Sequence, residues 1–460
     1  MKNKLAQQIF SLTPKKVDFI ETKFRKIKTF IPAPGTEEIF KRLSDVESRS
    51  MHGQLPIVWK KAKDFSIYDI AGNKWIDFTS TIFVTNIGHS NSKVSESIKE
   101  TLDNPLYSCY AYANPIRAEY IENLIRFAGK PFEKAFLMSA GTEATEAAMK
   151  LMRMYGEKIK KRKLGLVCIE NNWHGRTLGA QMMCSNISQK RWVGYSDPNI
   201  HFIPFPYPWE EKAKNPEQFF EDGINKLIKK GIDPKTDICG FMLETFQGWG
   251  AVFYPEKFVK SIRRFCDANQ ILLTFDEMQS GFGRTGENFG YKHYGVQPDL
   301  ICCGKGMGGG VPLSGVIGKG EIMDLPTVGN MSSTHSANPL VCSAGLAVIN
   351  QLEERNLIKE AKRKGEILFK KLNELKDNYP NRVSYILGKG LIAAILLKNP
   401  KDGEPDALFA SKVAEKCMQK GLLVVHTGRE SIKLGPPLCI TDEALIEGVD
   451  VISESIKELN

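Results

Sequence analysis

Between residues 135 and 318 the chain alternates short apolar runs with longer segments of helical character. The runs are AFLM (135–138), LGLVCIE (164–170), ICGFMLE (238–244), ILLTF (271–275), DLICC (299–303) and LSGVIG (313–318). They are rich in leucine and β-branched residues and show no polar alternation. Such runs read as strands buried on both faces, and their alternation with helices predicts a mostly parallel sheet covered on both sides. One helix is predicted to begin near Thr142, and two more between about 341 and 380, the second rich in Lys and Glu. Upstream, IVWKKAKDFSIYDIAGNKWIDF alternates around Ala71-Gly72-Asn73, which predicts a β-hairpin. Downstream, GLIAAILL, GLLVVHT and SIKLG read as strands among further helices. The expected plan is a large α/β domain over 86–340 and a smaller domain built from both chain ends, 1–85 and 341–460.

Length and composition narrow this picture. A chain of 460 residues is long enough for two or three domains. The apolar fraction of 42% and charged fraction of 25% are those of an ordinary globular protein. The basic N-terminus, MKNKLAQQIFSLTPKK, has no apolar core of a secretory signal. LIAAILL (391–397) is far shorter than the ~20 apolar residues that span a bilayer. A cytoplasmic protein with no membrane partner is expected. The ten cysteines form no CxxC pair, which argues for reduced thiols and against a zinc site or a disulfide framework. The net charge of +10 arises from mixed acids and bases. The densest basic run, KIKKRK (158–163), continues a helical pattern, so nucleic-acid binding is not expected.

The candidate chemistry centres on PDLICCGKGMGGGVPLSG (298–315), where a strand ends in a single lysine, Lys305, among glycines. It is not a Walker loop: Gly306 follows the lysine where Ser or Thr is required, and Asp299 stands where the first glycine belongs. Cys302 and Cys303 are poor joint ligands for one metal, because adjacent residues on a strand face opposite ways, and they read as small buried hydrophobes. In LLTFDEMQSGFGRTG (272–286) the preceding strand ends in Asp276, with Gln279 three residues on. Ligands of open α/β sheets sit beyond the carboxyl ends of the strands, so Asp276 either touches a ligand or caps the next segment. Adjacent parallel strands would bring Asp276 and Lys305 into one crevice. A carboxylate suits a pyridinium nitrogen and a lysine suits a pyridoxal aldehyde. FLMSAGTEATEAAMKLMR (136–153) supplies a strand, a turn and a helix, so Gly141 and Thr142 either cradle an anion at the helix N-terminus or form an ordinary cap. NNWHGRTLG (171–179) places Trp173 at a strand end, where a flat ring can cover a cofactor. His174 is a candidate base or ligand, or a locally hydrogen-bonded histidine.

Taken in order, SAGTEATEAAMKLMR, NNWHGRT, FDEMQSGFGRTG and GKGMGGGVPLSG resemble the class-III pyridoxal-phosphate aminotransferases, over about residues 55–458. The family includes ornithine, acetylornithine and 4-aminobutyrate aminotransferases. The resemblance implies the aspartate-aminotransferase-like fold type I, a large mostly parallel sheet domain with a split small domain, assembled as a homodimer. It implies pyridoxal 5'-phosphate as cofactor, an amine donor and a keto-acid acceptor as substrates, and ping-pong amino transfer. Lys305 would be the Schiff-base lysine and proton shuttle, Asp276 the pyridinium partner, and Gln279 the partner of the ring hydroxyl. Gly141 and Thr142 match the phosphate turn, Trp173 the ring-stacking position usually held by Tyr or Phe. Thr334, in SSTHSANPL, matches the threonine that reaches the neighbouring subunit's phosphate, and His335 stands where Phe is common. The same cofactor motifs occur in isomerases on this scaffold, racemases and aminomutases, and do not separate the two activities.

One stretch departs from the pattern. LETFQGWGA (243–251) keeps Glu244, Gln247 and Gly248 of E-P-x-Q-G-E-G-G but has Trp249 at the second glutamate. In several family members that glutamate pairs with an arginine near the C-terminus, and SIKLGPPL has Lys433 there. A lysine cannot grip a carboxylate with the two parallel hydrogen bonds of an arginine. The substrate is therefore expected to be a bulkier or less anionic amine, with the amine on a terminal or non-α carbon. Glu244, Trp249 and Lys433 are its candidate contacts. Trp249 could cover an apolar substrate or stack on Lys433, and Lys433 could hold an anion as a point charge.

Overall fold

The computed structural model describes residues 10–51, 53–104 and 106–460. Most of the basic N-terminal stretch, residues 1–9, lies outside them. Seven strands form the central sheet, in the order Lys134–Met138, Ser314–Gly318, Leu300–Cys303, Leu272–Asp276, Ile238–Glu244, Gly165–Ile169, Ile200–Ile203. All six apolar runs read from the sequence are among them, and Ile200–Ile203 is a seventh that the pattern did not announce. The pairings are parallel except at Ser314–Gly318, which runs antiparallel to both neighbours.

The strand period of two sorts each side chain to one of two cores. Leu166, Cys168, Met242, Leu272 and Cys302 pack with Ala144, Ala148, Leu151 and Met152 of the Gly141–Lys158 helix. Val167, Ile169, Phe241, Leu273 and Cys303 face the other way, toward Phe258, Val259 and Ile262 of the Glu256–Asn269 helix. Both faces are thus buried, which is why these strands read as continuous apolar runs. Cys302 and Cys303 do fall on opposite faces.

The helix expected near Thr142 is Gly141–Lys158, and the two expected between 341 and 380 are Pro339–Glu354 and Leu357–Asn378. The hairpin forms between Ser66–Asp69 and Lys74–Asp77. Its turn needs Gly72 at φ 79°, and the Asp69 carboxylate accepts from the amides of Ala71 and Asn73. Trp59–Lys63 adds a third strand. A separate antiparallel sheet contains Val383–Lys389, Ile392–Leu397, Ser431–Leu434 and Val425–His426. GLLVVHT is split by a break at Val424. Leu422–Leu423 pairs in parallel with Lys74–Asp77, and Val425–His426 joins Ser431–Leu434. The two chain ends therefore share a sheet.

Candidate active site

The parallel register sets the carboxyl ends of neighbouring strands level, with Asp276 opposite both Glu244 and Cys302. Beyond this edge lies a cleft of about 170 Å³. Gly141, Thr142, Trp173, Glu244, Asp276, Gln279 and Lys305 line it, together with His174. The structure brings these seven expected residues together. Trp249, Lys433 and Thr334 are not part of its lining.

Asp276 is held from two sides. Its Oδ1 accepts from the amide of Met278 at 3.0 Å, and its Oδ2 lies 2.8 Å from Nδ1 of His174. Both side chains are buried. A carboxylate accepts, so Nδ1 is the protonated ring nitrogen. Nε2 of His174 is buried and without a hydrogen-bond partner. This pairing was not legible in the sequence, because His174 and Asp276 come from different strand ends with no fixed spacing.

Lys305 follows the Leu300–Cys303 strand with φ 45°, a left-handed conformation rare for a side chain with a Cβ. It makes no ion pair among the described residues. Burial pushes its ammonium below the ordinary lysine range, against the pull of Asp276 and Glu244. Glu244 shifts the other way. Burial and the like charge of Asp276 hold its carboxyl well above the usual range, against the Trp173 amide, Lys433 and Lys305. Its Oε2 accepts from the Trp173 amide at 3.0 Å.

The opposite end of the cleft is the start of the Gly141–Lys158 helix. The amides of Gly141 and Thr142 have no acceptor among the described residues. A Cβ on Gly141 would lie 2.8 Å from Sδ of Met278, so the glycine permits a close approach. Gly175, at φ +148°, lets the loop after His174 reach Thr142, where a Cβ would be 2.3 Å from the threonine Oγ1. Trp173 lines the cleft with the Arg176 guanidinium 4.1 Å from its ring centroid. Thr334 is exposed in a surface turn. That turn is joined to the phosphate-turn candidate by Ser336, whose Oγ is 3.2 Å from Oγ of Ser139.

The departing residues form their own cluster. Trp249 does not stack on Lys433. Its ring lies under the Arg429 guanidinium at 3.7 Å, and its Nε1 donates to Oε1 of Gln247 at 2.8 Å. Tyr207, Trp209 and Tyr385 continue the aromatic wall. Lys433 is buried beside Phe83, and its ammonium donates to the Gly248 carbonyl and, at 2.6 Å, to Oε1 of Gln279. Burial pushes Lys433 down to about 7, with Glu244 opposing and Lys305 adding to the shift. Arg429 had no signal in the sequence, since its partner is reached only through the fold.

The family model for class-III aminotransferases matches residues 48–456. The chain belongs to this family. It is 33% identical to a probable 4-aminobutyrate aminotransferase of Bacillus subtilis, over 86% of this chain and 92% of the relative. It is 30% identical to an alanine/serine racemase of Pyrococcus horikoshii, over 98% and 96%. Among solved structures, ornithine aminotransferase of Toxoplasma gondii superposes with a TM-score of 0.81 at 25% identity, covering 91% of this chain and 94% of that one. The protein is an aminotransferase that uses pyridoxal phosphate. The residues of the aminotransferase fit the cofactor. The free amides of Gly141 and Thr142 suit a phosphate, the His174-braced carboxylate suits a pyridinium nitrogen, and Lys305 is a desolvated amine in the same cleft.

Proposed function

We propose that the aminotransferase acts on an amine donor less anionic than glutamate, carried on a terminal or non-α carbon, with Lys305 as its covalent and proton-transferring lysine. The observation that carries the first part is the engagement of Lys433: a buried ammonium already bonded to Gly248 and Gln279 offers no fork for a substrate carboxylate. The aromatic wall of Tyr207, Trp209 and Trp249 beside it suits a bulky or apolar substrate.

Bound pyridoxal phosphate supplies an electron sink when the C–H bond beside the substrate nitrogen breaks. The chain supplies the rest. Gly141 and Thr142 would anchor the phosphate, and Trp173 would cover the ring. Asp276, fixed by His174 and the Met278 amide, would hold a proton on the ring nitrogen. Lys305, whose hold on its proton is lowered by burial, would bond to the cofactor and move a proton at the substrate carbon. Glu244, held toward its protonated form by burial and by Asp276, disfavours a second negative charge next to Asp276.

The same reading makes the active site a homodimer product, with Thr334 reaching the neighbouring phosphate; its exposure in a surface turn supports this. Ten unpaired cysteines support a cytoplasmic location. Residues 86–340 would form the large domain, and 1–85 with 341–460 the small one.

A half-reaction tests the proposal. The yellow holoenzyme is mixed with α-amino acids, ω-amino acids, diamines and amino sugars, with no keto acid present. Stoichiometric bleaching by an ω-amino compound or diamine, with glutamate inert, is expected. Bleaching by glutamate alone would overturn the substrate class. The racemase relative, which matches nearly the whole chain, favours one alternative: a stable yellow band with loss of substrate chirality would assign isomerisation.

A further inference from the structure

Lys433 poses a charge problem. Its side chain is 4% exposed, and no ion-pair partner is found among the described residues. Its two acceptors, the Gly248 carbonyl and Oε1 of Gln279, are neutral. Its acidic neighbour, Glu244, is itself held toward the protonated form. A buried ammonium in such surroundings is costly unless an anion stands nearby.

The hydrogen bond also fixes an orientation. An ammonium has only donors, so the atom of Gln279 that meets it must be Oε1. Nε2 is thereby turned away from Lys433. A Cβ on Gly248 would lie 2.5 Å from Nε2 of Gln279 and 2.8 Å from Oε1 of Glu244. The amide is thus packed against bare glycine backbone, and its orientation is set by the donor it meets, the Lys433 ammonium. Gln279 lines the cleft that fits the cofactor.

We propose that Lys433 is a positioning residue: it locks Gln279 with its NH2 group toward the cleft, and the pair favours a negatively charged oxygen on the cofactor ring. This rests on the reading, implied by the family resemblance, that Gln279 is the partner of the cofactor's ring hydroxyl. Lys433 supplies the charge and Gln279 the directed donor. The anionic oxygen is the partner the buried ammonium lacks.

The experiment follows the visible absorbance of the holoenzyme against pH, in the wild type, Lys433→Met and Gln279→Glu. The yellow band is lost as pH rises and the chromophore gives up its proton. A nearby cation favours that loss, so removing it raises the midpoint. A shift of about one pH unit or more is expected for Lys433→Met. Gln279→Glu should also raise the midpoint, because its carboxylate would neutralise Lys433 and remove the donor. If Lys433→Met does not fold, Gln279→Glu carries the test alone. Midpoints equal to wild type, including a band that titrates in none of the proteins, overturn the proposal, as does a downward shift. Reduced thermal stability with an unmoved midpoint assigns Lys433 a packing role only and also overturns it. A wild-type protein with no yellow band after addition of pyridoxal phosphate would instead refute the cofactor site itself.

Discussion

Nδ1 of His174 stands 2.8 Å from Oδ2 of Asp276, and both side chains are buried at the carboxyl edge of the sheet. The imidazole fills one face of the carboxylate, the Met278 amide another, and the remaining lone pairs are left for the cleft. His174→Phe should keep the ring volume but strip Asp276 of a hydrogen bond worth about 1.5–3 kcal/mol. Titrating the cofactor-free protein with pyridoxal phosphate should show affinity roughly tenfold to a hundredfold weaker. Unchanged affinity would count against a bracing role.

Burial in the cleft lowers the hold of Lys305 on its proton. Lys305→Ala should lower kcat by at least about 100-fold through loss of the proton-transferring group. Borohydride treatment of the wild-type holoenzyme, followed by peptide mass analysis, should place the reduced cofactor on the peptide containing Lys305. A label on any other lysine would refute the assignment.

Gly248 touches both Gln279 and Glu244, so a methyl group there would press on two cleft residues at once. Overpacking of this kind costs about 1–3 kcal/mol. Gly248→Ala is expected to raise KM for every amine and to shift the visible band, with a smaller change in thermal midpoint. A variant that loses stability but keeps wild-type KM and spectrum would show that the contact matters only for packing.

Acid should weaken the base of the strand that carries Lys305. Asp299 is buried; burial pushes its carboxyl up, but Arg263, the Leu273 amide and Lys319 outweigh this and hold it below the ordinary range. The three contacts are each 2.8 Å. Because the folded value lies below the unfolded one, the stabilisation is present in full above about pH 4 and fades as pH falls below it. Asp299→Asn should cost about 1.5–3 kcal/mol at neutral pH. Below about pH 4 the wild-type thermal midpoint should fall faster than the variant's, so the two converge as the acid range is entered. Parallel curves would exclude Asp299 as a source of acid sensitivity.

The sheet was readable because its strands are buried on both faces. Gly165–Ile169 and Leu300–Cys303 have no exposed positions to blur the pattern. Ile200–Ile203 escaped notice as an edge strand whose central residues, His201 and Phe202, are only half-buried. Asp276 and Lys305 were legible because both stand at strand ends, where chain order maps onto neighbouring places in space. His174, Arg429 and the bond from Lys433 to Gln279 were not. Each joins segments whose approach is set by the packed fold, so no spacing along the chain announces it. Trp249 shows the limit plainly: the substitution was visible, but its partner proved to be Arg429 and not Lys433.

The parallel pairing of Leu422 with Ile76 and Leu423 with Asp77 has a consequence for synthesis. The seven strands of the central sheet lie between residues 134 and 318 and have all left the ribosome well before the last segments are made. The hairpin at 66–77 emerges earlier still, and Lys26 bridges to Lys74, yet the Ile76–Asp77 end of that edge stays open until Leu422 arrives. At about 5–20 residues per second, that edge waits tens of seconds on the nascent chain. An unpaired strand edge is a template for mispairing. Truncation before residue 422 should therefore yield a protein whose central sheet is complete but which aggregates through the hairpin at 66–77.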